Sequence, residues 1–165
     1  MKQLPEKIAL DKAVHGQRLY QGSVEIQQMS RLLDLLADAS GEVKFSIQFN
    51  RAAKVLGQAQ VKVSADLPLI CTISQKKFMF PVAVDSTIGF IDDLAYEDRL
   101  GVDMEASWVE EGWVKPLEII EDELILAVPD APFDESHSLA DEEGIEVTEQ
   151  VSNPFAVLNS LKEIK

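Results

Sequence analysis

The run Val43–Asn50, VKFSIQFN, sets Val43, Phe45, Ile47 and Phe49 on one side of an extended chain and Lys44, Ser46, Gln48 and Asn50 on the other. Side chains along a strand point to opposite faces in turn, so this period of two predicts a half-buried strand. A second run repeats the pattern, with Ala59, Val61, Val63 and Ala65 on one side and Gln60, Lys62 and Ser64 on the other. The connection at residues 51–56 is short enough to pair the two antiparallel. A third run places Phe78, Phe80, Val82 and Val84 together. Pro81 within it marks an edge or a bulge, because proline has no N–H to give to a ladder. Together the runs predict an α+β fold: a curved antiparallel sheet or small β-barrel with packed helices and a flexible acidic C-terminal segment.

Working outward, residues 7–10 and 18–21 read as edge strands or extended arms, punctuated by Gly16 and Gly22. From Glu25 the positions Ile26, Met29, Leu32, Leu33, Leu35 and Leu36 recur at helical spacing. An amphipathic helix is expected there, with Ser23 as its cap and Ser40-Gly41 as its stop. On the other side, residues 91–112 are acidic and irregular, and Trp108 and Trp113 bracket Glu110-Glu111-Gly112 as a short hairpin. Both tryptophans are expected to pack against the sheet. Then comes Leu117–Pro132, LEIIEDELILAVPDAP, where Leu117, Ile120, Leu124, Ala127 and Val128 repeat at helical spacing and Ile119, Ile125 and Leu126 widen the apolar arc. Pro116 suits the first helical position and Pro129 cannot continue the helix. Its polar stripe, Glu118, Glu121 and Asp122, reads as a solvated face, since no histidine stands near it to share metal or acid–base work.

A chain of 165 residues supports one substantial core, or one core and a tail. Although 46% of it is apolar, no uninterrupted apolar run approaches the roughly 18 residues of a membrane span. The start, MKQLPEKIALDKAVHGQ, lacks an apolar signal core, and a lone cysteine, Cys71, excludes a disulfide framework. A cytoplasmic protein is expected. The net charge of -14 is unevenly placed: residues 1–91 carry 11 basic and 8 acidic side chains, residues 92–150 carry 2 and 20, and residues 151–165 carry 2 and 1. That segregation opposes nucleic-acid binding by the acidic part and suits a basic partner, or serves solubility alone. The expected organisation is a single domain over residues 1–129, an acidic linker over 130–152 and a short C-terminal helical motif over 153–165. Asn153-Pro154 has the character of a helix start, and Pro154, Phe155, Val157, Leu158 and Leu161 are the candidate partner contacts. Such a motif docks back on its own domain or binds another molecule.

Lys44, Lys54, Lys62, Lys76 and Lys77, on or beside the strands, form the only basic surface the sequence offers and are the candidate RNA contacts. The aromatic residues of these strands alternate inward, away from any stacking role. Cys71, in LICTISQKKF, needs a base for catalysis or about three further nitrogen or sulfur ligands for zinc. The chain offers only His15 and His137, so a buried, idle thiol is the reading adopted. No Walker loop, dinucleotide-binding glycine pattern, GxSxG or HExxH occurs. No catalytic, cofactor-binding or metal residue is assigned, and the residues do not point to an enzyme or to a small-molecule substrate.

Four segments together resemble the YceD family of large ribosomal RNA subunit accumulation proteins. They are Leu19-Tyr20-Gln21-Gly22, residues 69–78, the stretch EDELILAVP at residues 121–129, and Asn153-Pro154-Phe155-Ala156-Val157-Leu158 with Leu161-Lys162. The family pattern has C-x-x-C after a strand and a further Cys, often beside His, beyond the helix. Here Cys71 holds the first position, Ser74 stands in the second, and Ser138 follows His137. The resemblance implies a non-enzymatic, cytoplasmic bacterial factor required for accumulation of large-subunit (23S) ribosomal RNA, hence for large-subunit biogenesis. The partners it implies are ribosomal RNA or its precursor, a basic large-subunit ribosomal protein, or both. The substitutions at Ser74 and Ser138 argue against a metal in this chain.

Overall fold

A computed structural model describes residues 4–137. The chain divides into two compact units, one ending at Asp134 and one beginning at Glu135. A single 3-10 turn, Glu135–His137, is the described part of the second. The acidic linker from residue 138 onward and the NPFAVL motif, with Pro154, Phe155, Val157, Leu158 and Leu161, lie outside the described residues.

In the first unit the strands are β1 (Ile8–Ala9), β2 (Leu19–Glu25), β3 (Glu42–Asn50), β4 (Gly57–Ile70), β5 (Lys77–Ile91), β6 (Met104–Trp108) and β7 (Trp113–Val114). The helices are α1 (Leu10–His15), α2 (Ser30–Leu33) and α3 (Pro116–Ala127). Five strands form one sheet in the order β2-β3-β4-β5-β6, and β1 and β7 make a separate antiparallel pair. Strands β2 to β5 are an antiparallel meander, whereas β6 joins β5 in parallel. The sheet is therefore mixed, and no closed barrel forms among the described residues. The expectation of an α+β fold with packed helices holds. What periodicity could not supply is the direction of β6, which is set by the crossover between Asp92 and Asp103, with its 3-10 turn at Leu94–Arg99.

The alternation of β3 and β4 works as read: Val43, Phe45, Ile47 and Phe49 face Ala59, Val61 and Val63 on the buried side. Phe49 stacks on Phe90 at 5.7 Å between ring centroids, and Tyr20 meets its edge at 5.8 Å. Leu10, Ala13 and Val14 of α1 and Ile119, Ile120 and Leu124 of α3 close over this face. Burying five or six such side chains supplies on the order of 10 kcal/mol, at about 2 kcal/mol each. Pro81 sits opposite Asp66 where β5 has a strand only on its β4 side, as an edge proline should.

Two helical expectations need correction. Leu10–His15 is a helix, where an edge strand or extended arm was expected up to Leu10. The long amphipathic helix from Glu25 does not form. Ser23 and Glu25 belong to β2, a 3-10 turn covers Ile26–Gln28, and α2 contains a single helical turn. Three tertiary bonds account for the break: β2 pairs with β3 as far as Glu25 and Glu42, Ala37 N–H donates to Pro68 O at 2.8 Å, and α2 is capped from another helix. Ile26, Met29 and Leu32 keep their inward role and are fully buried, whereas Leu35 is exposed.

The cap is Glu121. Its carboxylate, 6% exposed, accepts from the backbone N–H groups of Arg31 at 2.7 Å and Leu32 at 3.1 Å, and from Arg31 Nε at 3.1 Å and a terminal guanidinium nitrogen at 2.9 Å. These backbone groups belong to the first turn of α2, where no intrahelical acceptor exists. The reading of Glu121 as part of a solvated stripe is thus overturned. Glu118 and Asp122 do face solvent, paired with Lys115 at 2.7 Å and Arg31 at 2.7 Å. Removing Glu121 leaves two amides without an acceptor and the Arg31 guanidinium with Asp122 alone. Glu121→Ala should cost about 3 kcal/mol in urea unfolding, whereas Asp122→Ala, at an exposed pair, should cost under about 1 kcal/mol.

Candidate partner-binding site

The outward residues of the sheet give a polar, weakly charged face. Lys44 is exposed between Ser23 and Ser64, while Lys62, opposite Ser46 on one side and Asp85 on the other, pairs with the Asp85 carboxylate at 3.1 Å. Lys77 is paired with Asp38 at 2.7 Å, a contact that holds the Asp38 carboxyl well below its ordinary value with the help of Ser40. Lys54 lies in the loop before β4 and Lys76 in the loop after it. The 14 residues of β4 separate those loops by about 45 Å. Lys44, Lys54 and Lys76 are exposed cations, but the fold does not gather the five lysines into one patch.

Cys71 opens the tight β4–β5 loop, where Gln75 takes a positive φ of 56° and Cys71 N–H donates to Lys76 O. The segment after α3 crosses this loop, with Thr72 N–H donating to Pro132 O at 2.8 Å. The thiol is 1% exposed and is pushed down to about 7, first by the Ser74 hydroxyl and then by the N–H groups of Asp134, Ser74 and Ile73. Where the family pattern would supply a second thiolate, Ser74 donates its N–H to Cys71 Sγ at 3.5 Å. His15 is engaged with Asp11, and among the described residues no group of three or more His, Cys, Asp or Glu is placed to hold a metal. One sulfur and one hydroxyl do not fit a closed zinc site.

A third place went unrecognised in the sequence. Between β6 and α3 lies an open groove of about 570 Å³, reached from the β7 side as well. Its position follows from the parallel arrival of β6 at the sheet edge, beyond which no strand lies among the described residues. Trp108 and Trp113 stand on its lining at 55% and 48% exposure, not packed onto the sheet as expected. The hairpin between them is a tight turn, with positive φ at Glu111 and Gly112 and Trp113 N–H donating to Glu110 O at 2.9 Å. On the helix side Leu126 is 73% exposed and Ile125 half-buried.

The groove is acidic. Glu105, Glu110, Glu118, Asp122 and Glu123 line it against two cations, Arg31 and Lys115. Both cations are already matched, Arg31 by Glu121 and Asp122 and Lys115 by Glu118. That leaves Glu105, Glu110 and Glu123 without an ion-pair partner among the described residues. Glu123 is only 4% exposed, and burial pushes its carboxyl up from the ordinary value. The Ser86 hydroxyl opposes that shift, and the Glu105 and Asp122 carboxylates add to it by like-charge repulsion. Ser86 Oγ itself is buried without a well-formed hydrogen bond. Such a groove carries carboxylates that no cation among the described residues balances.

Among the described residues no helix is long and apolar enough to cross a membrane. Comparison with family models, curated proteins and solved structures finds no match for this chain.

A raised folded-state pKa means that ionising Glu123 costs stability, a cost absent below the unfolded value near 4.5 and incurred as pH rises through the folded one. Glu123→Gln should therefore raise Tm at pH 8, and the gain should shrink as pH falls and be gone below about 4.5. Paired thermal melts at the two pH values measure it.

Proposed function

We propose that this chain is a non-enzymatic cytoplasmic factor required for accumulation of large-subunit (23S) ribosomal RNA, acting in large-subunit biogenesis by holding a basic large-subunit ribosomal protein. The acidic groove between β6 and α3 carries the choice of partner, because it combines unmatched carboxylates with half-exposed tryptophans. The class of role comes from the resemblance to the YceD family. Three of its four segments fall on described residues: the start of β2, the tip of the β4–β5 hairpin and the C-terminal half of α3. Opposite potentials speed encounter with a basic protein, and an aromatic anchor supplies residence. On this reading the ribosomal RNA falls indirectly, when a subunit lacking its protein fails to mature.

Direct contact with ribosomal RNA or its precursor is the second reading, favoured by exposed Lys44, Lys54 and Lys76. Its weakness is that Lys62 and Lys77 are neutralised by Asp85 and Asp38. Salt-dependent phosphate binding needs several free cations on one track.

Depletion of the chain should lower 23S relative to 16S ribosomal RNA, and the tagged protein drawn from growing cells should keep one basic ribosomal protein after ribonuclease treatment. Unchanged 23S levels would remove the ribosomal role. Retained ribosomal RNA, with protein partners released by ribonuclease, would transfer the function to the lysines.

A further inference from the structure

The groove has three properties that together describe its occupant. The first is geometric: among the described residues β6 is an edge strand whose outer N–H and C=O groups have no neighbouring strand, and α3 runs along the other wall. A free edge beside a helix accepts an extended segment as an added strand, whose alternate side chains then point into the groove about 7 Å apart. The second is electrostatic: Glu105 and Glu123 both line the groove and repel one another, with no cation paired to either among the described residues. Burial disfavours the charge on Glu123, a cost that a cation beside it would offset. The third is apolar and aromatic: Leu126 and Ile125 on the helix side, Trp108 and Trp113 on the strand side. Indole faces attract guanidinium and ammonium groups, Trp most strongly.

We infer that the groove between β6 and α3 binds an extended cationic segment of a partner protein, added as a strand to the free edge of β6, with basic side chains meeting Glu105 and Glu123 and apolar ones meeting Leu126. This rests on the reading that the acidic side is the working surface, and it adds the conformation and side-chain chemistry of the partner. Arginine fits better than lysine, because its planar fork engages a carboxylate bidentately while stacking on an indole. The occupant is not nucleic acid, which the unmatched carboxylates repel.

The protein carries two tryptophans, and both line this groove, so intrinsic emission reports on it without a label. The experiment titrates the full chain at low salt with the acetylated, amidated hexapeptide Arg-Thr-Leu-Thr-Arg-Thr, whose arginines and leucine share one face of a strand, and with its counterpart in which glutamate replaces arginine. Saturable change in tryptophan emission with the arginine peptide alone is expected, weakened at least tenfold by the paired substitution Glu105→Gln and Glu123→Gln. A second variant, Leu126→Lys, alters an exposed side chain that folding does not require and should weaken binding by a similar factor. Lys44→Glu, on the outer face of the sheet, should leave it unchanged. Equal binding of the glutamate peptide, or undiminished binding by both groove variants, overturns the inference. So does binding that emerges only after deletion of residues 151–165, which would make this chain's own tail the occupant, or displacement of the peptide by a uridine homopolymer. Failure here leaves the ribosomal role to be judged by 23S levels alone, so the two failures are distinguishable.

Discussion

The carboxylate of Glu121 is the point on which α2 and α3 both depend. A helix of one turn cannot sustain itself, because nucleation costs more than its few internal bonds return. The first-turn N–H groups of α2 are exactly those that lack partners, and Glu121 accepts from two of them while also taking the Arg31 fork. The bond thus fixes a segment next to residue 31 against a helix some 90 residues later. Both elements then cover the same sheet face, with Met29 and Leu32 from one and Ile120 and Leu124 from the other fully buried.

Fixing α3 in this way also fixes the groove. Arg31, spent on Glu121 and Asp122, is held at the rim and unavailable to Glu105 or Glu123. Lys115 is likewise engaged by Glu118 at the start of α3. The two cations nearest the acidic wall are therefore structural, and the charge left over belongs to the surface. Glu123 lines the groove two residues beyond Glu121, so a structural and an unsatisfied carboxylate stand close together on one element. The outer face of the sheet shows the reverse economy, since Lys62 and Lys77 meet carboxylates and little net field remains.

The strands were readable because their cause is local. Val43 to Phe49 and Ala59 to Ala65 alternate, and one buried face demands that alternation wherever the partner strand lies. The limits of α3 were readable for the same reason, Pro116 and Pro129 acting on their own backbone. The break after Glu25 was not, since the spacing from Ile26 to Leu36 is helical and only Pro68 O, β3 and Glu121, remote in sequence, prevent the helix. Glu121 was misread because its partner lies in that remote segment, and the tryptophans because exposure depends on where β6 docks. The groove draws on residues from 31 to 126 and exists only after the parallel pairing of β6. Its one local signal was the clustering of acid and tryptophan between residues 92 and 123. For Lys62, strand register disclosed what spacing could not, the Asp85 carboxylate opposite it, while Lys77 meets Asp38 only through the fold.

The central claim, that the acidic side and not the lysine face meets the partner, is tested most directly by cross-linking in growing cells. A benzophenone amino acid placed at Leu126 samples the groove, and one placed at Lys44 samples the outer face of the sheet. The account predicts a cross-link from position 126 to a basic large-subunit ribosomal protein and none of comparable yield from position 44. Cross-links to ribosomal RNA from position 44, with position 126 silent, would contradict it.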